Sequence, residues 1–252
     1  MILASDLRQS RSAAGFPPIT AARANGLLAV GGDLSPERLL VAYANGIFPW
    51  PISAKGPIPW FCPSPRTVLL PGEIRVDRSL RRAVRRARFT ITFDRAFAGV
   101  IAGCAAVPRR EKGTWLTPAM IRAYRRLHEL GFAHSVEAWL SDRLVGGLYG
   151  VSLGSAFFGE SMFTLESDAS KIALFTLLGQ LEASQFDFLD CQMTTPHVLR
   201  LGAVEWPQSQ FQEALAEAMT KETRRGSWSS LVSSPDVGGS SSAVAPGSGT
   251  SV

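Results

Sequence analysis

Between Gly46 and Arg66 the chain reads GIFPWPISAKGPIPWFCPSPR, with prolines at 49, 51, 57, 59, 63 and 65. Each proline removes an amide donor and crowds the preceding turn, so this stretch excludes a helix and predicts an extended loop rich in aromatic residues. It follows a helix with clear ends. Ser35 is placed to cap it, Pro36 suits its first position, Leu39, Leu40 and Tyr43 share one face, and Asn45-Gly46 ends it. Residues 1–66 therefore predict a small N-terminal unit.

Downstream the periodicity changes. A strand is expected at 67–70, a basic helix at 79–88, a strand at 89–93, and helices at 97–105 and 117–130. Strands at 134–140, 144–151 and 155–158 form an antiparallel meander. A helix over 170–184, a buried strand over 188–190, a short helix over 196–201 and a last helix over 209–223 complete residues 67–225. From Gly226 to Val252 the chain holds ten Ser and five Gly, which predicts a tail that buries too little apolar surface to fold. With 46% hydrophobic and 19% charged residues, the remainder cannot be a disordered or collagen-like chain.

The net charge is +5, and 22 of the 26 basic residues are Arg. GC-rich coding also favours Arg, but it does not cluster it. On a helix through this basic run, Arg78, Arg81, Arg82, Arg85 and Arg86 recur at three- and four-residue steps, opposite Leu80, Ala83, Val84 and Ala87. A face of like charges repels itself and becomes favourable against phosphates. Trp50, Trp60, Phe61, Trp115 and Tyr124 lie in or beside loops and helix starts. Rings near basic charge can stack on bases, although any single Trp serves equally well in a core.

Two places carry candidate chemistry. Glu160 follows the strand at 155–158, where a carboxylate lines a cleft or sits in an exposed turn. Asp190 and Gln192 end the strand 188–190, and alternation puts them on one face with Cys191 on the other. Cys191 therefore belongs to the core rather than to a Cys–His nucleophile with His197. His128 and His134 read as ordinary helix-surface and strand residues. Three scattered cysteines, no CxxC and no metal-ligand spacing predict a reduced protein without a metal site. Without an apolar leader or an 18-residue apolar run, a soluble cytoplasmic protein is expected.

The motifs Gly26-Leu-Leu-Ala-Val-Gly-Gly-Asp-Leu-Ser-Pro36, Gly46-Ile-Phe-Pro-Trp50, Gly113-Thr-Trp115, Ala133-His-Ser-Val-Glu-Ala-Trp139, Leu144-Val-Gly-Gly-Leu-Tyr-Gly150, Gly159-Glu-Ser-Met-Phe163, Asp168-Ala-Ser-Lys171 and Asp190-Cys-Gln192 occur in this order. Together, over about residues 16–215, they resemble the leucyl/phenylalanyl-tRNA–protein transferase family. The resemblance implies an α+β protein, with a small N-terminal α/β domain packed on an acetyltransferase-like (GNAT-like) domain built on a largely antiparallel sheet. It implies transfer of Leu or Phe, and Met less well, from aminoacyl-tRNA to acceptor proteins with N-terminal Arg or Lys, marking them for degradation. It also implies a monomer without a cofactor.

By the same resemblance, Asp190 and Gln192 are catalytic, Asp190 orienting and Gln192 bonding the attacking amine, and Glu160 binds the cationic acceptor. Trp50, Trp115 and Tyr124 hold the terminal adenosine. Leu148, Phe157 and Met162 line an aminoacyl pocket, and the Arg78–Arg86 stripe contacts tRNA. Leu148 stands where the family has Met, Thr164-Leu165 replaces Ser-Arg, and residues 195–200 and 205–207 also depart from the pattern. Two other readings remain. An acetyl-CoA-dependent N-acetyltransferase requires a pyrophosphate loop that GESMFTLESDASK does not supply. A non-catalytic RNA-binding module leaves Asp190 and Gln192 without a purpose.

Overall fold

The computed structural model describes residues 4–51, 56–75, 77–107 and 116–231. In chain order the elements are α1 (Ala4–Gln9), β1 (Leu27–Val30), α2 (Pro36–Ala44), β2 (Phe48–Pro49), β3 (Pro59–Phe61), β4 (Arg66–Leu69), α3 (Arg78–Arg85), β5 (Thr90–Phe93), α4 (Phe97–Ala106) and α5 (Pro118–Glu129). They continue with β6 (Ala133–Leu140), β7 (Arg143–Leu153), β8 (Ala156–Thr164), α6 (Ala169–Ala183), β9 (Phe188–Gln192), α7 (Pro196–Arg200), β10 (Val204–Trp206) and α8 (Gln208–Ala218).

The expected helix ends are in place. Ser35 Oγ accepts the Arg38 N–H and Thr117 Oγ1 accepts the Met120 N–H, while Gly46 and Gly131 leave their helices at φ +74° and +79°. The proline-rich stretch is not a loop throughout. Its described parts contribute β2 and β3, which pair antiparallel with each other, and β3 pairs with β1, giving a three-stranded sheet. Proline is tolerated here because Pro49 lies in the edge strand β2 and Pro59 is the first residue of the central strand β3. Trp60 is buried there, and its indole N–H donates to Gly31 O.

The main sheet runs β10-β4-β9-β8-β7-β6-β5. Every pairing is antiparallel except β8 with β9, which are joined through α6 as a parallel crossover. Helices cover both faces. Phe97, Val100, Ile101 and Cys104 of α4 join Met120, Tyr124 and Leu127 of α5 in one cluster. Leu174, Leu177, Leu178 and Leu181 of α6 join Leu69, Phe157 and Leu189 in the other. The N-terminal segment adds Tyr43, Phe48 and Trp60 to the first cluster, so the two sheets share one core.

The strand expected at 155–158 is longer than its sequence suggests. β8 runs through Gly159-Glu160-Ser161-Met162-Phe163, so Glu160 lies within a strand and not in the turn after it. The segment from Gly226, expected not to fold, is packed at Trp228. Trp228 is 2% exposed, its ring stacks 3.9 Å from that of His134, and its backbone N–H donates to Asp94 Oδ2 at 2.7 Å. One large aromatic finds a home where the average composition around it forecasts none.

Candidate active site

A β-bulge sets the site. Tyr149 pairs with Ser161 and Gly150 with Gly159, which leaves Glu160 as the extra residue of β8. The bulge resets the alternation. Phe158 and Phe163 pack into one core cluster, while Phe157 and Met162 pack into the other. Each pair is five residues apart, an odd spacing that strict alternation forbids on one face. Gly150 allows the close approach, because a Cβ there would lie 2.3 Å from Phe158 O.

The second setting feature is the parting of β8 and β9. Their pairing runs from Ala156–Phe188 to Phe158–Asp190 and stops, although both strands continue. The carboxyl ends of parallel strands are where α/β sheets place ligands. Across this opening Gln192 Nε2 donates to Glu160 Oε1 at 2.8 Å. From α2, Tyr43 OH donates to the same oxygen at 2.7 Å, and from α5, Tyr124 OH donates to Oε2 at 2.7 Å. The two phenol oxygens are 2.5 Å apart.

Part of Glu160 reaches solvent, but its carboxyl is ringed by protein groups. Loss of hydration pushes its pKa up to about 7, against the pull of the Tyr43, Tyr124 and Gln192 hydrogen bonds. Burial and the neighbouring Glu160 charge hold both phenols well above their ordinary range. They keep their protons at neutral pH.

Asp190 is fully buried. Arg66 Nε donates to its Oδ1 at 2.9 Å and Nη2 to its Oδ2 at 2.6 Å. The Arg66 guanidinium lies between the rings of Phe48 and Phe211, 4.8 and 4.7 Å from their centroids. Asp190 Oδ1 also accepts the Gln192 backbone N–H at 2.7 Å, which holds Gln192 at φ +65° and aims its amide at Glu160. Asp190 and Gln192 do share a face, and Cys191 packs toward the opposite cluster. Burial pushes the Cys191 thiol well up, which disfavours the thiolate.

The other expected residues fall in three places. Leu148, Phe157 and Met162 share the cluster beneath α6, with Leu148 opposite Met162 in register. Trp50, 36% exposed, borders an apolar recess with Asn25, Phe61, Pro63 and Met193, one residue beyond Gln192. Tyr124 is fully buried, so it is no open stacking platform in this arrangement, and its hydroxyl serves Glu160. Trp115 lies outside the described residues.

On α3, Arg78, Arg81, Arg82 and Arg85 are exposed, as is Arg86 at its end, while Leu80 and Val84 are buried. The helix starts one residue earlier than expected, where Asp77 caps it, and ends three residues sooner, before Ala87 at φ +45°. His134 is not an ordinary strand residue. It is buried, bonded to Asp94 Oδ2 at 2.9 Å and stacked under Trp228. Sequence reasoning missed Arg66 and Tyr43. A tyrosine on the apolar face of α2 was the one available sign, since a buried hydroxyl needs a partner.

A carboxyl, two phenols and an amide at the mouth of two parting strands provide orientation and proton exchange without a nucleophile, which is the equipment of an acyl-transferring enzyme. Residues 68–216 match the family model described as leucyl/phenylalanyl-tRNA protein transferase, and residues 32–64 match that of its N-terminal domain. Relatives of that name are similar over most of the chain. The one from Desulfatibacillum aliphaticivorans is 55% identical over 215 residues, 85% of this chain and 92% of its own length. Those from Myxococcus xanthus and Magnetococcus marinus are 54% and 52% identical, covering 84% and 86% of this chain and 91% and 93% of their own. The chain belongs to the leucyl/phenylalanyl-tRNA–protein transferase family. Among its described residues no helix is long and apolar enough to cross a membrane.

Proposed function

We propose that this protein transfers Leu or Phe, and Met less well, from aminoacyl-tRNA to acceptor proteins that begin with Arg or Lys, and so marks them for degradation. The observation that carries the reading is the Glu160–Tyr43–Tyr124–Gln192 cluster at the opening between β8 and β9. An aminoacyl ester is already activated, so its attack by an amine needs no covalent enzyme intermediate. It needs alignment, proton removal and stabilisation of the tetrahedral oxyanion.

In this reading Glu160 receives the cationic acceptor N-terminus, and Gln192 orients the amine. Asp190 acts through Gln192, held by Arg66. The cluster of Leu148, Phe157 and Met162 supports an apolar pocket that favours Leu and Phe. The recess at Trp50, with Trp115, holds the terminal adenosine, and the five arginines of the α3 stripe meet tRNA phosphates. The main-sheet domain is acetyltransferase-like, a reading supported by the parting of β8 from β9. The protein works as a monomer in the cytoplasm and needs no metal or organic cofactor.

The test is incubation with radiolabelled Leu-tRNA and a peptide beginning with Arg or Lys, with and without acetyl-CoA. Label transferred to the peptide without acetyl-CoA is the expected result. Binding of tRNA without transfer contradicts the reading, as does acetylation alone.

A further inference from the structure

Peptide-bond formation from an ester and an amine requires one proton to leave the attacking nitrogen and one to reach the departing ribose oxygen. A carboxamide such as Gln192 is too weak a base for the first step. Asp190 is enclosed and held through both oxygens by Arg66, so it cannot reach the amine. The hydroxyls of Tyr43 and Tyr124 are both turned onto Glu160.

Protons can be counted around the ring. Three oxygen–oxygen contacts close it: Tyr43 to Glu160 Oε1 at 2.7 Å, Tyr124 to Glu160 Oε2 at 2.7 Å, and Tyr43 to Tyr124 at 2.5 Å. With Glu160 ionised, both phenol protons point at the carboxylate, and the phenol–phenol contact has none. With Glu160 protonated on Oε2, three protons fill three contacts in one direction. The carboxyl O–H donates to Tyr124, Tyr124 to Tyr43, and Tyr43 to Oε1, whose second lone pair accepts the Gln192 amide. The enclosure is therefore built to welcome one further proton.

We propose that Glu160 is the catalytic residue that takes the proton from the acceptor amine and returns it to the leaving ribose oxygen, with Tyr43 and Tyr124 as positioning residues that close a hydrogen-bond ring around that proton. This rests on the transfer reaction proposed above. The nitrogen forms the new bond to the aminoacyl carbon and gives one proton to Glu160. The ester C–O bond then breaks, and Glu160 hands the proton to the ribose oxygen. Glu160 ends ionised, and no further reactant is consumed.

The groups facing Glu160 set its titration from every side: Tyr43 from α2, Tyr124 from α5, Gln192 and the Arg66-paired Asp190 from β9. Burial is the largest influence and raises its pKa to about 7. An acceptor α-amine titrates at about 7.7–8.0, so the two groups are closely matched for exchange.

The experiment measures kcat against pH with saturating Leu-tRNA and a peptide beginning with Arg, for the wild type, Glu160→Gln and Gln192→Ala. A glutamine at 160 reproduces the protonated carboxyl, donating to Tyr124 and accepting from Tyr43, so it keeps the ring but cannot take a proton. The expected loss in kcat is about 10²–10⁴-fold, with disappearance of the rising limb near neutral pH. The limb from the amine itself, near pH 8, remains in both. Gln192→Ala lowers kcat but keeps the Glu160 limb, moved to higher pH because a donor to the carboxylate is gone. Three results overturn the assignment: a Glu160→Gln enzyme with near wild-type kcat, a loss confined to a raised KM for the peptide, or a limb abolished by Gln192→Ala. A wild type that transfers with no limb near neutral pH also overturns it alone. A wild type that transfers at no pH overturns the functional reading, and this assignment with it.

Discussion

Arg66 and Asp190, from neighbouring strands but 124 residues apart in sequence, form a bidentate ion pair with side chains 1% and 0% exposed. A buried pair is costly to break from one side, because the surviving charge is stranded. Asp190→Ala should therefore destabilise the fold by about 3–5 kcal/mol, and Arg66→Ala by a similar amount. The double variant Arg66→Met, Asp190→Leu should recover much of that stability without recovering transfer, since the Gln192 backbone loses its anchor. Chemical denaturation alongside the transfer assay checks this. A double variant as active as the wild type would show that the anchor is dispensable.

The raised pKa of Glu160 carries a stability cost with a definite sign. The folded state holds this proton up to about pH 7, and the unfolded chain releases it near 4.5. The group's favourable contribution is thus complete below about pH 4.5 and is lost as pH rises to about 7. The loss amounts to about 3 kcal/mol by linkage. Glu160→Gln should consequently gain on the wild type between those pH values and hold a constant advantage above them. Melting curves across that range give the comparison. An advantage that shrinks with rising pH would reverse the sign.

The α3 stripe makes an electrostatic prediction. Replacing Arg81, Arg82, Arg85 and Arg86 with Glu should weaken tRNA binding and reduce the slope of log K against log salt by roughly 0.7–0.9 for each phosphate no longer neutralised. Stability should barely change, because these side chains are exposed while Leu80 and Val84 hold the helix down. An unchanged salt slope would remove the stripe from the tRNA interface.

Trp228 packs over His134 and touches Phe157 and Phe186, with ring centroids 5.8 and 6.0 Å away. Trp228→Ala should cost about 3–5 kcal/mol, the range for deleting a large buried aromatic, and Trp228→Phe less. Urea denaturation measures both. A neutral alanine variant would mean that the segment is only laid against the surface.

Legibility in the sequence followed the range of the interaction. Helix ends were readable because Ser35 and Thr117 act three residues away on their own backbones. The shared face of Asp190 and Gln192 was readable because strand alternation is local. Glu160 was expected just after the strand, in a cleft or a turn, because only the pairing with β7 reveals that β8 continues through a bulge. The Arg66 clamp had no local sign at all, because its partner lies 124 residues away. Trp228 was lost in the average of a Ser- and Gly-rich segment, although a single indole can be buried where its neighbours cannot. The ring around Glu160 requires α2, α5, β8 and β9 to converge, which no local window contains.

The Glu160 ring is proposed as the place where an α-amine and an aminoacyl-tRNA ester meet. Single-turnover transfer of labelled leucine from Leu-tRNA to two peptides that differ only in a free or an acetylated N-terminal Arg amine tests this meeting. The expected result is one new amide bond on the free peptide and none on the acetylated one, with equal tRNA binding in both reactions. Equal labelling of the two peptides, or label trapped on the enzyme, would contradict it.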